Sequence, residues 1–404
     1  MKTQKDITII GGGVVGLSIA YSLSHIFDGE INLIEKNETI AGDNQSTRNS
    51  GVIHAGIYYD KTIAPKKADF CVKGNLLLYE FCEKYKIAHK KVGKFVVATD
   101  QNEIAYLEDT FRIAKENNVP GIRMVDGKFV KKKEPNVNCI AALYCPSSGV
   151  IDPVGYIKKL HGLIQKNKTN VYKNNKVIDI LASGHGFTIT TKSGNHVETF
   201  DTDLVINSAG LNSDIIATLV NPENPYEVIP MKGEAVKFLK TQNSKVFTSG
   251  MNIYPTPHGI DPDKGGKAQL PFLEFEAVYK KGSIKKSLGV HLTPLVLKNR
   301  NSKFLLSDEI TIGPASSANC GKEEYGHTYD KNYYVQRIKS FFPNISEEYL
   351  EFYQTGILAA LKGYPDFLIE RDINYKNFIN LIGIDSPGLT SSLAIGEYVC
   401  KMIK

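Results

Sequence analysis

The segment from Asp6 to Glu35, DITIIGGGVVGLSIAYSLSHIFDGEINLIE, restricts the folds open to this chain more than any other. Ile7, Ile9 and Ile10 form a β-branched run suited to a buried parallel strand. Gly11, Gly12, Gly13 and Gly16 follow, then Leu17, Ile19, Ala20 and Leu23 at roughly helical spacing. Ile31, Leu33 and Ile34 make a second apolar run that ends in Glu35. Strand, glycine turn, helix, strand and acid in that order predict a βαβ unit that holds a dinucleotide. Gly11 permits the tight turn, Gly13 lets the backbone approach a pyrophosphate, and Gly16 lets the helix lie close on the strand. The helix N-terminus around Val14 and Val15 offers N–H groups and partial positive charge to phosphates. Glu35, 24 residues after Gly11, is the acid expected on the ribose hydroxyls. Lys2 and Lys5 precede this apolar stretch as in a signal peptide, but the glycines interrupt it and no small-residue cleavage site precedes Glu35. A plain crossover would not require three glycines at these positions.

With 404 residues and 42% hydrophobic composition, the chain can bury the cores of two or three domains. A net charge of +6 and lysines in short groups such as Lys131–Lys133 argue against a nucleic-acid binder and for a solvated face. Contact with an anionic membrane surface is the minority reading. Cys71, Cys82, Cys139, Cys145, Cys320 and Cys400 form no CxxC pair and no zinc-spaced cluster. No metal site is expected, and a cytoplasmic chain with reduced thiols is.

Beyond Glu35, residues 41–59 are rich in small, polar and glycine residues. Ser46, Thr47, Arg48, Asn49, Ser50 and Gly51 suit a segment wrapped around a phosphorylated cofactor. A helix is expected over 64–85, a strand over 94–99, a polar helix over 101–117, and a helix over about 154–165 behind Asp152-Pro153. Strands are expected over 176–181, 188–191 and 204–207. The last runs into Ser208, Ala209, Gly210 and Leu211, a second glycine turn at the edge of the same sheet. Between Pro230 and Pro343, strand-like runs punctuated by Pro, Gly and Asn indicate a second, mostly antiparallel sheet. A helix is expected over 333–342 and a final strand over 378–383. That strand leads through Ser386, Pro387, Gly388, Leu389 and Thr390 into a last helix. A flavin gains negative charge on reduction, and a helix N-terminus aimed at it would stabilise that charge.

These residues carry a resemblance. The N-terminal glycine unit, VINSAGLNSD and the SPGLT turn are similar to the FAD-dependent oxidoreductases of the D-amino-acid oxidase type. Within them, STRNSGVIHAGIYY, GNLLLYEFC, VGKFVVAT, LGVHLT and GIDSPGLTSSLAIGEYV resemble the L-2-hydroxyglutarate oxidase and dehydrogenase branch. The resemblance spans nearly the whole chain. It implies an α/β protein with a discontinuous Rossmann-type FAD-binding domain (1–88, 149–225, 355–404) and an α+β substrate domain (89–148, 226–354). It also implies non-covalent FAD, with Lys36 and Val177 added to the cofactor contacts, and a 2-hydroxy acid beneath the isoalloxazine. Two departures stand out. Residues 258–287 form an expanded connection, and Leu358 stands where relatives carry an Arg placed for the substrate carboxylate.

Oxidising a 2-hydroxy acid removes a hydride from Cα, for which a flavin is the acceptor, and a proton from the hydroxyl. The protein must supply a base near neutrality and a cation for the carboxylate. Among nine histidines, His54 leaves the cofactor-wrapping segment and His291 lies on the LGVHLT strand. His54 is favoured near flavin and substrate; a histidine on a strand is more often structural. Arg48, Lys232, Tyr58, Tyr59 and Tyr254 are candidate contacts, with Lys232 equally readable as a solvated strand-edge lysine. Oxygen or a membrane quinone would take the electrons onward, the latter implying peripheral contact with the inner face of a membrane. The competing classes are a flavin enzyme acting on amines and a flavoprotein that has lost catalysis and kept a binding role.

Overall fold

The computed structural model describes residues 6–42, 44–167, 169–184, 186–260, 267–268, 270, 272–280, 285–298, 304–318 and 320–403. In chain order, β1 (Ile7–Ile10), α1 (Val14–Leu23) and β2 (Ile31–Ile34) form the expected βαβ unit. Then come α2 (Pro65–Tyr85), β3 (Lys94–Ala98), β4 (Arg123–Asp126), β5 (Ala141–Cys145), β6 (Thr169–Tyr172) and β7 (Leu204–Asn207). β8 (Val228–Leu239), β9 (Asn252–Pro255), β10 (His291–Lys298), β11 (Phe304–Ser317) and β12 (Glu351–Leu361) follow. β13 (Leu368–Arg371), β14 (Phe378–Ile382) and α3 (Gly388–Ile403) complete the description.

Two large sheets organise these elements into an α/β fold. The first has the order β13-β14-β7-β1-β2-β6, parallel except for β13. β1, β2, β7 and β14 are buried along their whole length, as the unbroken apolar runs require of strands covered on both faces. The helices α1, α2 and α3 pack on one another beside it, and their apolar residues join those of the strands in one core. Gly74 on α2 permits the closest approach: a Cβ there would lie 2.2 Å from the Thr390 carbonyl oxygen on α3.

The second sheet has the order β12-β8-β11-β10-β9-β3-β5-β4 and is antiparallel except where β9 runs beside β3. It carries its own core around Phe95, Ile253, Ile312, Phe341 and Phe342. Several strands are longer than the sequence suggests; β8 spans 228–239 and β11 304–317, because flanking polar residues pair across the sheet. The helix expected over 333–342 covers Lys331–Ile338, and the buried Phe341 and Phe342 lie beyond it. Within the expanded connection, Phe272–Lys280 is helical, and Phe272 packs edge-on against Tyr106 with ring centroids 5.1 Å apart.

Candidate functional site

A cleft of about 1480 Å³ runs along the C-terminal ends of β1 and β7 and beneath the second sheet. Its first end is built by the glycine turn. Gly11 has φ +107°, and a Cβ there would lie 2.5 Å from the Ser208 carbonyl oxygen. A Cβ on Gly16 would lie 2.0 Å from the Gly11 carbonyl oxygen, so only glycine lets α1 sit this close to the strand end. Gly13 caps α1 without a side-chain hydrogen bond, and no acidic residue occupies the first turn. The Val14 N–H donates to Ser46 Oγ at 2.9 Å, which ties the following segment to the helix start.

Glu35 is buried, and its carboxylate accepts from the Gly12 N–H at 2.7 Å and the Asn37 N–H at 2.9 Å. It therefore faces the glycine turn with fixed geometry and lines the cleft beside Lys36. Val15, Asn49, Ser50, Val177, Ala209, Gly210 and Leu211 line the same cavity, and Gly210 has open space where a Cβ would point. Arg48 also lines it, with its guanidinium 4.4 Å above the Tyr325 ring. Gly388, Leu389 and Thr390 present the start of α3 at the other end, with no acidic residue in that turn. A glycine-built phosphate cradle, an oriented carboxylate and two helix starts on one cavity are the donors and acceptors that FAD requires.

Gly12, Gly16, Thr47 and Gly51 serve this cleft from outside its lining. The Thr47 hydroxyl donates to the Gly42 and Asn44 carbonyls, and a Cβ on Gly51 (φ +64°) would lie 2.5 Å from the Ile151 carbonyl oxygen. Lys232 requires a correction. Ile229, Met231, Gly233 and Ala235 of β8 line the cleft, so alternation turns Lys232 to the opposite face. There its Nζ donates to the Gly326 carbonyl at 2.8 Å and lies 3.7 Å from the buried Glu234 carboxylate. Nor is it a solvated edge lysine, being 2% exposed.

The α3 end of the cleft brings His54, Tyr58, Tyr254 and His291 together. The His54 backbone is held on both sides: its N–H donates to Thr390 Oγ1 at 3.0 Å, and its carbonyl accepts from Asn75 Nδ2 at 2.7 Å. The imidazole is left to face the cavity. His291 stacks on Tyr254 with ring centroids 3.7 Å apart. Among the described residues, His291 Nδ1 and Tyr58 Oη are buried without a hydrogen-bond partner. Burial, then Lys94, then His291 hold His54 well below the ordinary imidazole value; burial and then Lys94 do the same to His291. Both rings are thus neutral bases at pH 7. Burial pushes the Tyr58, Tyr59 and Tyr254 phenols up, so they remain hydrogen-bond donors. Two cations line the cleft nearby, each already engaged. Lys67 pairs with Asp385 at 2.8 Å, and Arg112 with Asp109 and Glu116 at 2.8 Å and with Asp60 at 3.3 Å. Leu358 lines the same wall as its strand partner Met231 and offers an anion no cation.

Sequence reasoning overlooked Asn75, Gln45 and Lys94. Gln45 accepts from the Ile357 N–H at 2.5 Å and donates to Tyr325 at 2.7 Å, joining the cofactor-wrapping segment to β12. The signal for Lys94 was its parity with Val96 and Ala98, which share a buried cluster with Tyr58 and Tyr254.

Residues 6–402 match the family described as FAD dependent oxidoreductase. The chain belongs to this family. FAD is the cofactor and the protein is an FAD-dependent oxidoreductase. The chain is 29% identical to the mitochondrial L-2-hydroxyglutarate dehydrogenase of Arabidopsis thaliana, over 99% of this chain and 83% of that protein. It is also 29% identical to a glycerol 3-phosphate dehydrogenase of Caloramator mitchellensis, over 99% and 74% of the two. The FAD-bound L-alpha-glycerophosphate oxidase of Mycoplasma pneumoniae superposes with a TM-score of 0.79 at 23% identity, covering 99% of this flavoprotein and 94% of the oxidase. Among the described residues, no helix is long and apolar enough to cross a membrane, and no cluster of metal-ligating side chains exists.

Proposed function

We propose that this oxidoreductase converts a 2-hydroxy acid to the 2-oxo acid, with L-2-hydroxyglutarate the first candidate. The observation that carries this reading is the pair of neutral imidazoles, the half-buried His54 and the buried His291, at the end of the cofactor cleft where α3 begins. FAD, when bound, accepts the hydride from the substrate Cα. His54 takes the hydroxyl proton, because its ring faces the cavity while its backbone is clamped by Thr390 and Asn75. His291 Nδ1 and Tyr58 Oη, both lacking protein partners among the described residues, supply hydrogen bonds to the substrate oxygens. The unit built on the six-stranded sheet holds the cofactor, and the eight-stranded sheet roofs the substrate. Similarity to an L-2-hydroxyglutarate dehydrogenase over 99% of the chain supports the substrate class.

A second reading is a polyol phosphate, favoured by the match to a glycerol 3-phosphate dehydrogenase. With Leu358 on the wall, neither anion meets an arginine there. Anaerobic mixing of the holoprotein with L-2-hydroxyglutarate, shorter 2-hydroxy acids, glycerol 3-phosphate and amino acids decides between them. Rapid bleaching of the flavin by a 2-hydroxy acid is expected. Bleaching by glycerol 3-phosphate alone moves the assignment to the second reading, and bleaching by an amino acid alone removes the hydroxy-acid class.

A further inference from the structure

Lys94 opens β3, yet it is only 1% exposed. No carboxylate answers it: among the described residues its ammonium has neither an ion pair nor a hydrogen bond, which is rare for a buried lysine. Instead Nζ sits 3.6 Å from the centroid of the Tyr254 ring and 5.3 Å from that of Tyr58. The other partner of Tyr254 is His291, stacked at 3.7 Å. Lysine, phenol ring and imidazole therefore form one column at the catalytic end of the cleft. The position is fixed by pairing, since Lys94 lies opposite Asn252 on β9 and Cys145 on β5.

We propose that Lys94 is a positioning residue of the catalytic compartment, whose ammonium, seated on Tyr254, keeps the imidazoles of His54 and His291 unprotonated and so leaves His54 free to take the substrate's hydroxyl proton. The groups that face this column are His54, Tyr58 and Tyr59 from the segment after β2, Cys71 from α2, Cys145 from β5, Tyr254 from β9 and His291 from β10. None is a carboxylate; the nearest acid that acts on any of them is Asp385, which faces Tyr59 and is paired with Lys67. A proton entering this compartment thus has three bases to choose from and no anion to hold it. Burial brings Lys94 down to about 7, with the Cys145 and Cys71 thiols opposing, whereas both imidazoles stay well below 6.5. Lys94 consequently loads first as the pH falls, and its charge then denies a proton to the two rings through like-charge repulsion. The π-face of Tyr254 supplies what stabilisation the ammonium has.

This inference rests on the reading of His54 and His291 as bases, so its test must not depend on turnover. Holoprotein labelled with 13Cε1-histidine is titrated by NMR as wild type, Lys94→Met and Lys94→Arg, with His54→Ala and His291→Ala used for assignment. The expected result is that both rings remain neutral well below pH 6.5 in the wild type and in Lys94→Arg. In Lys94→Met they should gain about tenfold in proton affinity, a rise of about one pH unit. Rings that titrate in Lys94→Met where they do in the wild type would overturn the proposal. Methionine nearly matches lysine in volume and removes a charge that has no partner to orphan; should it not retain FAD, Lys94→Gln carries the same comparison. Either wild-type ring titrating at or above its ordinary value also overturns the proposal. If no 2-hydroxy acid bleaches the flavin, the functional reading fails while these titrations stand.

Discussion

Replacing Lys94 by Met should change how stability depends on pH. The folded protein holds the Lys94 proton with a pKa of about 7, against 10.5 for an ordinary lysine. Between those values the unfolded chain binds the extra proton, so stability rises with pH across the window. The slope is about 1.4 kcal/mol per pH unit for one proton, which gives about 2 kcal/mol between pH 7.5 and 9 and about 5 kcal/mol over the whole interval. Urea unfolding of the apoprotein at pH 7.5, 8.25 and 9, wild type against Lys94→Met, isolates this term because the imidazoles that Lys94 influences stay neutral across this window. The wild type should gain about 2 kcal/mol relative to the variant on going from pH 7.5 to 9. The variant should also be the more stable at pH 7.5, since folding no longer has to strip a lysine of its proton. Parallel stability curves would show that Lys94 is not forced towards its neutral form, and the account of the catalytic compartment would fall with it.

Glu35→Gln keeps one acceptor oxygen for the two N–H groups, on buried Gly12 and half-buried Asn37, that its carboxylate now serves. Unfolding of the apoprotein should register a loss of about 1–3 kcal/mol, and flavin titration a tenfold or greater loss of FAD affinity; unchanged affinity would place the ribose elsewhere. His54→Ala should slow anaerobic flavin reduction by about 10²–10⁴ with a smaller effect on substrate binding, and His291→Ala should slow it less. The reverse order in stopped-flow reduction would transfer the proton-accepting role to His291. Lys232→Met strips the buried Glu234 of its cation, so stability should drop by about 3–5 kcal/mol while the reduction rate holds. A selective loss of rate in that variant would return Lys232 to the site.

The cofactor half of the molecule was legible because its requirements are local. Gly16 answers a clash with Gly11 and Gly11 one with the adjoining strand end, and Glu35 closes the unit it belongs to. The substrate half depends on which face of a strand meets the cleft. In β8, Lys232 and Met231 are neighbours of opposite destination, and nothing in IPMKGEA distinguishes a core face from a cleft face when both are covered. β3 poses the same problem with all five residues buried, so nothing local sets the lysine at its head apart. The residues that decide its role, Tyr58 and Tyr254, come from 36 positions before it and 160 after it.

The sheet order has a consequence for biosynthesis. β7, the neighbour of β1 on one side, is made about two hundred residues after it, and β14 and α3, which complete the cleft, later still. At about 5–20 residues per second, roughly 20–75 s separate the emergence of β1 from that of β14. Until that interval ends the glycine turn and the end of β7 lack the wall that α3 supplies, so the nascent chain holds only part of the cleft. Flavin supply therefore acts only after α3 has emerged, and a shortage should accumulate apoprotein and not arrested fragments.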